Sequence, residues 1–546
     1  MRLIHGKLTP LTKTSFALLV IVIAFISLFV KAGLLAVDAF PFNADEAIVS
    51  LMARHILNGE WQTFFYGQAY MGSLDATLVA VAFALFGENL PLVRVVQILL
   101  YLGVVITTAY VGWLIYRSRS ISIMAALIMA IPTVNTILYT TVSLGGYGEA
   151  LLLGNLMLIT ALVAGTRKGP WMYALWGFFA GLGTWAFALS LVYVIPSGVL
   201  LLVQGLGDTA NRGFKRNILL AILAFFLGAM PLVLWSIQNG PAAAIEEITG
   251  SAIAGASPSS LLTSLAYHAV NFFLFGLTVI FGLRPPWEIR WLALPLLPLV
   301  LAFWLYVIGH MIVSLKWRDE SRMGRWLLFG VIATLVIGFI LSPFGADPSG
   351  RYFLPLITPL SLFAAEAIET LRVRTKVRSW AYGVLVVVLG FNLWGTLQAA
   401  SHNPPGITTQ FDSITWIDHQ FDQELVDFLI ENDETRGYSN YWVAYPLAFL
   451  SGEELIFIPR LPYHQDFRYT SRDDRYQPYD VEVERSDNVA YITTNHPALD
   501  ERLRTEFAKV GVTWDEKTIG DYHVFYNLSA VVRPEDLKIE TWHENQ

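Results

Sequence analysis

The 546-residue chain contains no cysteine, and only 14% of its residues are charged. The lack of cysteine excludes disulfides, thiolate nucleophiles and cysteine-ligated metal sites. An ordinary soluble protein has about 25% charged residues, so this chain is poor in charge. No Walker A sequence is present, so nothing in the chain indicates an ATP-driven motor. A hydrophobic content of 55% indicates instead a protein that lies largely in a membrane.

Apolar runs of about 20 residues, the length that crosses a bilayer, recur from Ser15 to about Leu397. Because an open sheet leaves backbone groups unsatisfied in lipid, these runs predict a polytopic α-helical membrane protein. Basic clusters mark cytoplasmic loops, so an even number of crossings must separate neighbouring clusters. The clusters lie at 117–119, 167–168, 212–216, 316–325 and 372–378.

This parity predicts about 11 crossings of the cytoplasmic (inner) membrane, with the N-terminus in the cytoplasm and the C-terminal end in the periplasm or its equivalent. Two apolar segments, 73–87 and 265–284, do not fit the parity, and we interpret them as interfacial or re-entrant helices on the outer side. The predicted spans are 15–37, 91–116, 121–140, 149–165, 171–187, 189–205, 217–236, 291–314, 326–343, 352–370 and 379–397.

The C-terminal segment differs from the rest in charge and pattern. From Ser401 to Gln546 there are 12 Lys and Arg residues against 27 Asp and Glu residues, a net charge of −15, while the remainder carries +8. This acidity argues against binding to nucleic acid. Strand-like "ELIFIP" and "NVAYITT" alternate with helical patterns, and "KTIGDYHVFYNL" predicts a final hairpin. We expect residues 1–399 to form a membrane domain and residues 400–546 a soluble extracytoplasmic α/β domain with a partly parallel sheet.

Two adjacent carboxylates, Asp45 and Glu46, follow the first apolar run in "FPFNADEAIVSLMARHILNG", within an outer loop placed at 38–90. Asn43-x-x-Glu46 is close to a capping box, and the amphipathic helix behind it would lie on the membrane surface. Carboxylates beside a bilayer are costly unless they are paired or used, so the same pair is also a candidate catalytic site. Adjacent helical residues point about 100° apart, so the two acids should differ in role.

Further polar and aromatic side chains suited to a sugar site lie in other outer segments. "WQTFFYGQAYMGSLD" contains Tyr66 and Gln68. "SLGGYGEALLLGN" contains Tyr147 and Glu149, and the glycines before them allow backbone to approach a ligand closely. The simpler interpretation of Glu149 is an acid at a helix N-terminus, and both remain open.

Two arginines stand where a phosphate could use them. Arg94 in "ENLPLVRVVQ" and Arg351, followed by Tyr352, in "DPSGRYFLPLITP" lie at predicted outer ends of spans. A guanidinium group binds phosphate in a forked geometry, although either arginine could equally be an interfacial anchor or the partner of an acid. Lys31 is expected to snorkel toward the interface. His268 and Arg284 are weaker candidates in the third outer segment.

The ordered motifs resemble the GT-C glycosyltransferases, the superfamily that includes protein O-mannosyltransferases and the aminoarabinose transferases of lipid A. An outer Asp-Glu pair after the first span, "YGQAYMGSLDA", "LFGENLPLVRVV" and "SGRYFLPLITPL" carry the similarity, and "GYSNYWVAYPLAFLSGE" is similar to tails of bacterial relatives. The basic first-loop residues of the aminoarabinose branch have no clear match here. No segment resembles the extra sugar-binding module of eukaryotic mannosyltransferases.

The resemblance implies transfer of a sugar from a polyprenyl phosphate on the outer face, with inversion at the anomeric carbon. Asp45 would be the general base, and Glu46 would position the acceptor or the loop. Glu149 would be a second acid of the site. Arg351 and Arg94 would meet the donor phosphate or order the acids. The acceptor, whether glycan, lipid or protein, is left open.

Other functions and a metal requirement are also considered. Asp45, Glu46 and Glu149 could bind Mg²⁺ or Mn²⁺ through oxygen atoms, but carboxylate count alone cannot decide, so no metal ligand is assigned. A lipid-linked sugar transporter or flippase is an alternative function, against which the scarcity of midplane charges argues. A non-enzymatic assembly partner that docks through the C-terminal domain is another.

Overall fold

The computed structural model describes residues 13–167, 169–207, 213–253, 260–374, 379–402 and 406–545. Three of the basic clusters therefore lie partly outside the described residues. The first 400 residues are mainly helical, and the residues that follow contain a five-stranded sheet. The α-helices before residue 402 are Lys13–Ala36, Ala44–Leu57, Leu74–Phe86, Leu90–Tyr116, Arg119–Ala130, Val134–Tyr139, Tyr147–Arg167, Pro170–Ala186, Leu191–Gly207, Phe214–Gly228, Met230–Asn239, Pro241–Ile253, Leu261–Val270, Leu277–Ile280, Leu297–Ser314, Arg322–Leu341, Ile357–Arg374 and Ser379–Ala400.

Within these described residues, nine helices are long and apolar enough to cross a membrane. A tenth crossing results if Phe214–Gly228 and Met230–Asn239, which are bent by 72°, form one span. The polytopic helical fold is therefore confirmed, with fewer qualifying helices than the predicted crossings. One of the nine, Leu261–Ile280, covers much of the segment that we interpreted as interfacial or re-entrant.

Two other predicted spans are not among these nine helices. The segment 121–140 is divided into Arg119–Ala130 and the six-residue helix Val134–Tyr139. The break contains Pro132, which disfavours helical backbone in the residue before it. The segment 171–187 forms the helix Pro170–Ala186, which has 17 residues.

The helix Ala44–Leu57, here called the first-loop helix, begins at the predicted cap. The side chain of Asn43 accepts a hydrogen bond from the Glu46 backbone N–H. Eleven of the 14 residues of the helix are buried, so protein covers both its apolar and its polar stripe. Its polar stripe is covered because Glu46 and Arg54 bind other side chains instead of water. A two-stranded hairpin follows, β1 (Phe64–Phe65) and β2 (Gln68–Gly72).

The residues after 402, here called the tail, form the expected α/β structure. The sheet has the order β4-β3-β5-β7-β6; β3 is parallel to β4 and β5, and β7 is antiparallel to β5 and β6. The predicted strands and final hairpin are confirmed. The strands are β3 (Arg436–Ser439), β4 (Ile456–Pro459), β5 (Ala490–Thr494), β6 (Asp515–Ile519) and β7 (Tyr522–Tyr526). The α-helices are Asp422–Glu431, Tyr441–Leu450, Gln477–Glu484 and Pro497–Lys509.

Candidate active site

Asp45 lies in the first turn of the first-loop helix and is buried where the tail packs on that helix. Tyr441 donates a hydrogen bond from its hydroxyl to Asp45 Oδ1 at 2.7 Å. Arg475 Nη1 lies 3.3 Å from the same oxygen. Both partners belong to the tail, so two distant parts of the sequence meet at one carboxylate. Both contacts fall on Oδ1, which leaves Oδ2 to face another group.

Arg475 is held in place by close packing. Its guanidinium carbon lies 4.6 Å from the centre of the Tyr441 ring, a cation–π arrangement. Its aliphatic stem fits against Gly67, in the turn between β1 and β2. Gly67 has a φ of +65°, and a Cβ there would come within 2.7 Å of Arg475 Cγ. The glycine is thus required both by its backbone conformation and by the arginine beside it.

Arg475 stays charged although it is buried. Burial lowers the pKa of Arg475, but Tyr441 and Asp45 outweigh this effect and raise the pKa above its ordinary value. Nε of the same guanidinium is buried without a hydrogen-bond partner among the described residues. A buried donor without a partner is costly, so this N–H is suited to an anionic group brought by a ligand.

Glu46 is occupied by Arg94. The arginine donates from Nε to Oε1 at 2.9 Å and from Nη2 to Oε2 at 2.8 Å, a two-pronged ion pair. The Glu46 side chain is fully buried, so this pair holds the first turn of the helix against the span that begins at Leu90. Of the two roles considered for Arg94, the ordering of an acid matches this geometry.

Glu149 lies in a second acid site inside the membrane region. It lies within electrostatic range of Asp75, and both carboxyl groups are buried. Asp75 also accepts a hydrogen bond from Gln97 at 2.8 Å and another from Ser143. No arginine or lysine contributes to these contacts, so two acids face each other with neutral donors around them.

Arg351 is paired with Asp347, and the shortest distance between them is 2.6 Å. Its guanidinium carbon lies 5.1 Å from the centre of the Tyr352 ring. Tyr147 and Tyr70 are also within electrostatic range of Arg351. We call Arg351, Tyr352, Tyr147 and Tyr70 the Arg351 cluster.

The Arg351 cluster and Asp45 have neighbours in common. The buried Tyr139 is within electrostatic range of both Arg351 and Asp45. Tyr70 is within electrostatic range of Arg475 as well as of Arg351. The two groups therefore lie on the same side of the helical region.

Tyr66 and Gln68 take different positions. The Tyr66 hydroxyl is hydrogen-bonded to His55 Nδ1 at 2.8 Å, and its ring stacks on Tyr476 of the tail with the ring centres 4.5 Å apart. Tyr66 thus belongs to the contact between the first loop and the tail. Gln68 begins β2 and is half-buried.

Glu453 of the tail closes the same contact. Its carboxylate accepts a hydrogen bond from Tyr479 at 2.7 Å, and it lies 2.8 Å from His55 Nε2 and 3.3 Å from Arg54 Nη1. Burial raises the pKa of Glu453, but the hydrogen bonds from His55 and Tyr479 outweigh it and lower the pKa to about 2.

Three basic side chains have structural partners. Lys31 does not snorkel; its side chain is fully buried and donates to Thr140 and Thr141 at 2.7–2.8 Å. His268 Nδ1 is hydrogen-bonded to a main-chain carbonyl at 2.9 Å. Arg284 donates mainly to main-chain carbonyls near its own turn.

The three acids considered as metal ligands have separate partners. Asp45 binds Arg475 and Tyr441, Glu46 binds Arg94, and Glu149 faces Asp75. In the part of the chain that the structure describes, no group of three or more His, Asp or Glu side chains is arranged to hold a metal ion. Mg²⁺ or Mn²⁺ binding, which the sequence left undecided, is not assigned to these acids.

Sequence reasoning named Arg94, the partner of Glu46, but missed the partners of Asp45 and Glu149. Tyr441 stands in a segment that carried the resemblance, and Asp75 ends the quoted "WQTFFYGQAYMGSLD", but neither was assigned to a site. Arg475 lies in "SRDDRYQPYD", where it is one of several charged residues. A buried arginine cannot be told from an exposed one by that pattern, so only the packing of the tail identifies it.

The chain has the GT-C fold, a polytopic helical region followed by a smaller domain. It is similar to ArnT from Cupriavidus metallidurans in the structure bound to undecaprenyl phosphate, with a TM-score of 0.58, 14% identity, and coverage of 96% of this chain and 100% of that chain. The oligosaccharyltransferase of Archaeoglobus fulgidus in the apo form gives a TM-score of 0.51 at 11% identity, with 88% and 70% covered. No protein-family model matches the sequence, and neither does any curated protein. Likeness at these identities establishes the fold, and function must be argued from the site.

Proposed function

We propose that this protein is an integral membrane glycosyltransferase that moves a sugar from a polyprenyl-phosphate donor to an acceptor, with inversion at the anomeric carbon. The observation that carries the proposal is Asp45, a buried carboxylate held at one oxygen by Arg475 and Tyr441 in a GT-C fold. A lipid-linked donor is supported by the similar fold of ArnT, whose structure holds undecaprenyl phosphate.

Asp45 is the general base in this mechanism. Its Oδ2 accepts the proton of an acceptor hydroxyl while the hydroxyl oxygen forms the new bond to the anomeric carbon. The bond from that carbon to the phosphate oxygen breaks, and its electron pair leaves with the lipid phosphate. Because a single displacement from the opposite face needs one base, no second carboxylate nucleophile is required.

Two arginines are placed to assist the leaving phosphate. Arg475 has an N–H without a partner, and Arg351 lies among tyrosines on the same side of the helical region. Fixed cationic donors that meet charge as it develops lower the barrier, since the protein need not reorganise during the reaction. Arg94 and Glu46 hold the turn that carries Asp45.

The proposal includes a cellular arrangement. Asp45 lies on the same side as the tail, which we place outside the cytoplasm on the basis of the basic clusters. Residues 1–399 then form the transferase domain, and residues 400–546 form the extracytoplasmic domain. The donor would reach Asp45 from within the bilayer.

The test is transfer by Asp45→Asn and its matched control Asp38→Asn, which changes an exposed acid in the same loop. Undecaprenyl-phosphate sugars carrying a hexose, a pentose or an amino sugar are supplied with a membrane extract as the source of acceptor. We expect release of undecaprenyl phosphate to fall by about 10²- to 10⁴-fold in Asp45→Asn and to be unchanged in Asp38→Asn. Equal turnover in both variants would remove Asp45 as the base, and no turnover by the unaltered protein with any donor would refute the proposed function.

A further inference from the structure

We propose that a cleft in the tail binds a saccharide and that this saccharide is the acceptor, an inference that rests on the proposed function. The cleft has a volume of about 600 Å³. Four aromatic side chains line it, namely Phe411, Trp442, Tyr463 and Tyr469. Such a volume lies in the range of small-molecule sites, about 300–1,000 Å³.

The topology of the sheet places the cleft where α/β sheets bind ligands. The helix Tyr441–Leu450 connects β3 to β4, and Gln477–Glu484 lies on the connection from β4 to β5. Since β4 and β5 lie on opposite sides of β3, two right-handed crossovers must pass over opposite faces.

The two faces of the sheet confirm this arrangement. Val443 of the first connection packs in one cluster with Phe457. Val483 of the second connection packs in the other cluster with Ile458, whose side chain points to the opposite face. The connections thus diverge between β3 and β4, and a crevice opens outside the carboxyl ends of these strands, the usual ligand position in open α/β sheets.

The side chains of the cleft suit a sugar ring. Trp442 and Tyr463 are half-buried and lie at a steep angle, with ring centres 6.4 Å apart. Aromatic rings of this kind combine an apolar face with a polar edge, which matches the C–H faces and hydroxyl groups of a saccharide. His464 and Asp412 are paired at 3.0 Å and supply fixed polar atoms.

The charged residues of the cleft are compatible with either a neutral or an acidic saccharide. Arg468 and Arg472 stand at one edge, in a domain whose net charge is −15. A neutral ring would use the aromatic faces alone, whereas an acidic ring would also meet these guanidinium groups. The experiment below separates the two.

The walls of the cleft contact the residues that hold Asp45. The ring of Trp442 touches that of its neighbour Tyr441, with centres 5.1 Å apart, and Tyr441 donates to Asp45. On the other wall, the Tyr463 hydroxyl donates to Asp473 at 3.0 Å, and Asp473 interacts with Arg475. Both walls thus contact the two residues that hold Asp45, so a saccharide in the cleft would lie beside the site of that carboxylate.

Binding is measured on the full-length protein in detergent without any donor. Ligand-observed NMR with cellohexaose as the neutral probe and hexagalacturonate as the acidic probe gives Kd for the unaltered protein and its variants. We expect at least one probe to bind and Kd to rise about tenfold in Trp442→Leu, since an aromatic anchor is lost. Trp514→Leu, which changes a half-buried tryptophan outside the cleft, should leave Kd unchanged.

A second variant tests the cleft in case Trp442→Leu does not fold. Phe411 is 47% exposed, so Phe411→Ala removes a wall of the cleft with little effect on packing, and it should also raise Kd. Absence of binding by both probes, or equal Kd in Trp442→Leu, Phe411→Ala and the unaltered protein, would overturn the proposal.

Asp45→Asn separates this proposal from the proposed function. Saccharide binding retained in Asp45→Asn, together with reduced transfer in Trp442→Leu, supports both. If binding is present but no protein transfers sugar, the cleft stands and the transferase function fails. If transfer by Trp442→Leu equals that of the unaltered protein, the acceptor cleft fails and the transferase function stands.

Discussion

The two buried acid sites of the membrane region differ in what surrounds their carboxylates. Asp45 has a permanently charged partner, Arg475, supplied by the tail. Glu149 faces another acid, Asp75, and the side chains that donate to Asp75 are neutral. A nearby guanidinium stabilises an ionised carboxylate, whereas two facing carboxyl groups are stable only when they share a proton.

This difference assigns separate roles to the two sites. A general base needs an oxygen that can accept a proton, and at Asp45 the contacts from Arg475 and Tyr441 both fall on Oδ1 and leave Oδ2 for that purpose. Among the described residues, the Asp75–Glu149 pair has no such cation beside it, and both of its members are buried. We therefore propose that Glu149 supports the site through Asp75 and that Asp45 carries the proton transfer.

The strongest test of this contrast is to remove the charged partner. Arg475→Leu should lower transfer by about 10²- to 10³-fold, the range for loss of a single preorganised charge-stabilising donor. Arg475→Lys keeps the positive charge but loses the fork, so its rate should fall between those of Arg475→Leu and the unaltered protein. The measurement is kcat with a saturating undecaprenyl-phosphate sugar. Arg485→Leu, at an exposed arginine of the tail, is the control.

If Arg475→Lys were no better than Arg475→Leu, positive charge beside Asp45 would not be the important property. If Arg475→Leu kept full activity, the contrast between the two acid sites would lose its basis.

A smaller effect is expected when Arg475 is displaced without being changed. A Cβ in Gly67→Ala would press on Arg475 Cγ, so the guanidinium must move away from Asp45. We expect transfer to fall by roughly tenfold, less than when the donor is removed altogether. Gly59→Ala is a matched control because Gly59 also has a positive φ, +92°, and a Cβ there meets no atom within 4 Å. Equal losses in the two variants would mean that backbone strain, and not the position of Arg475, causes the effect.

At the other acid site, loss of a carboxylate should have little effect on transfer. Glu149→Gln removes one of two facing carboxyl groups and keeps the shape of the side chain. We expect transfer to fall much less than the roughly 100-fold that loss of an acid–base group costs, and thermal stability to be equal or higher because a buried acid beside another acid is replaced by a neutral amide. Transfer and unfolding temperature are measured beside Asp45→Asn. A loss in Glu149→Gln as large as that in Asp45→Asn would give Glu149 a direct part in the chemistry.

The two acid sites also show which features of the molecule could be predicted from the sequence. Long apolar runs and alternating patterns depend on neighbours close in sequence, so the helical membrane fold and the strands of the tail were predictable. The cap at Asn43 was predictable for the same reason. The partner of Asp45 was not, because Arg475 lies 430 residues away and is brought near only by docking of the tail. The burial of the first-loop helix was missed because it also depends on docking of the tail. An amphipathic pattern does not indicate whether water or protein covers the polar stripe.

The smallest expected effect concerns how the tail is held on the first loop. The pKa of Glu453 is lowered to about 2, so its carboxylate stabilises the docked state above the unfolded-state pKa of about 4.5, and this contribution disappears as the pH falls toward 2. Glu453→Gln should therefore lower the free energy of unfolding by about 1–2 kcal/mol at pH 7, and the difference from the unaltered protein should shrink below pH 4. Chemical unfolding at a series of pH values measures it, with the exposed Glu454→Gln as the control. A difference that is independent of pH would mean that packing, and not the carboxylate, joins the two regions. In that case the contrast between Asp45 and Glu149 would depend on the charge of Arg475 alone and not on the charge of Glu453.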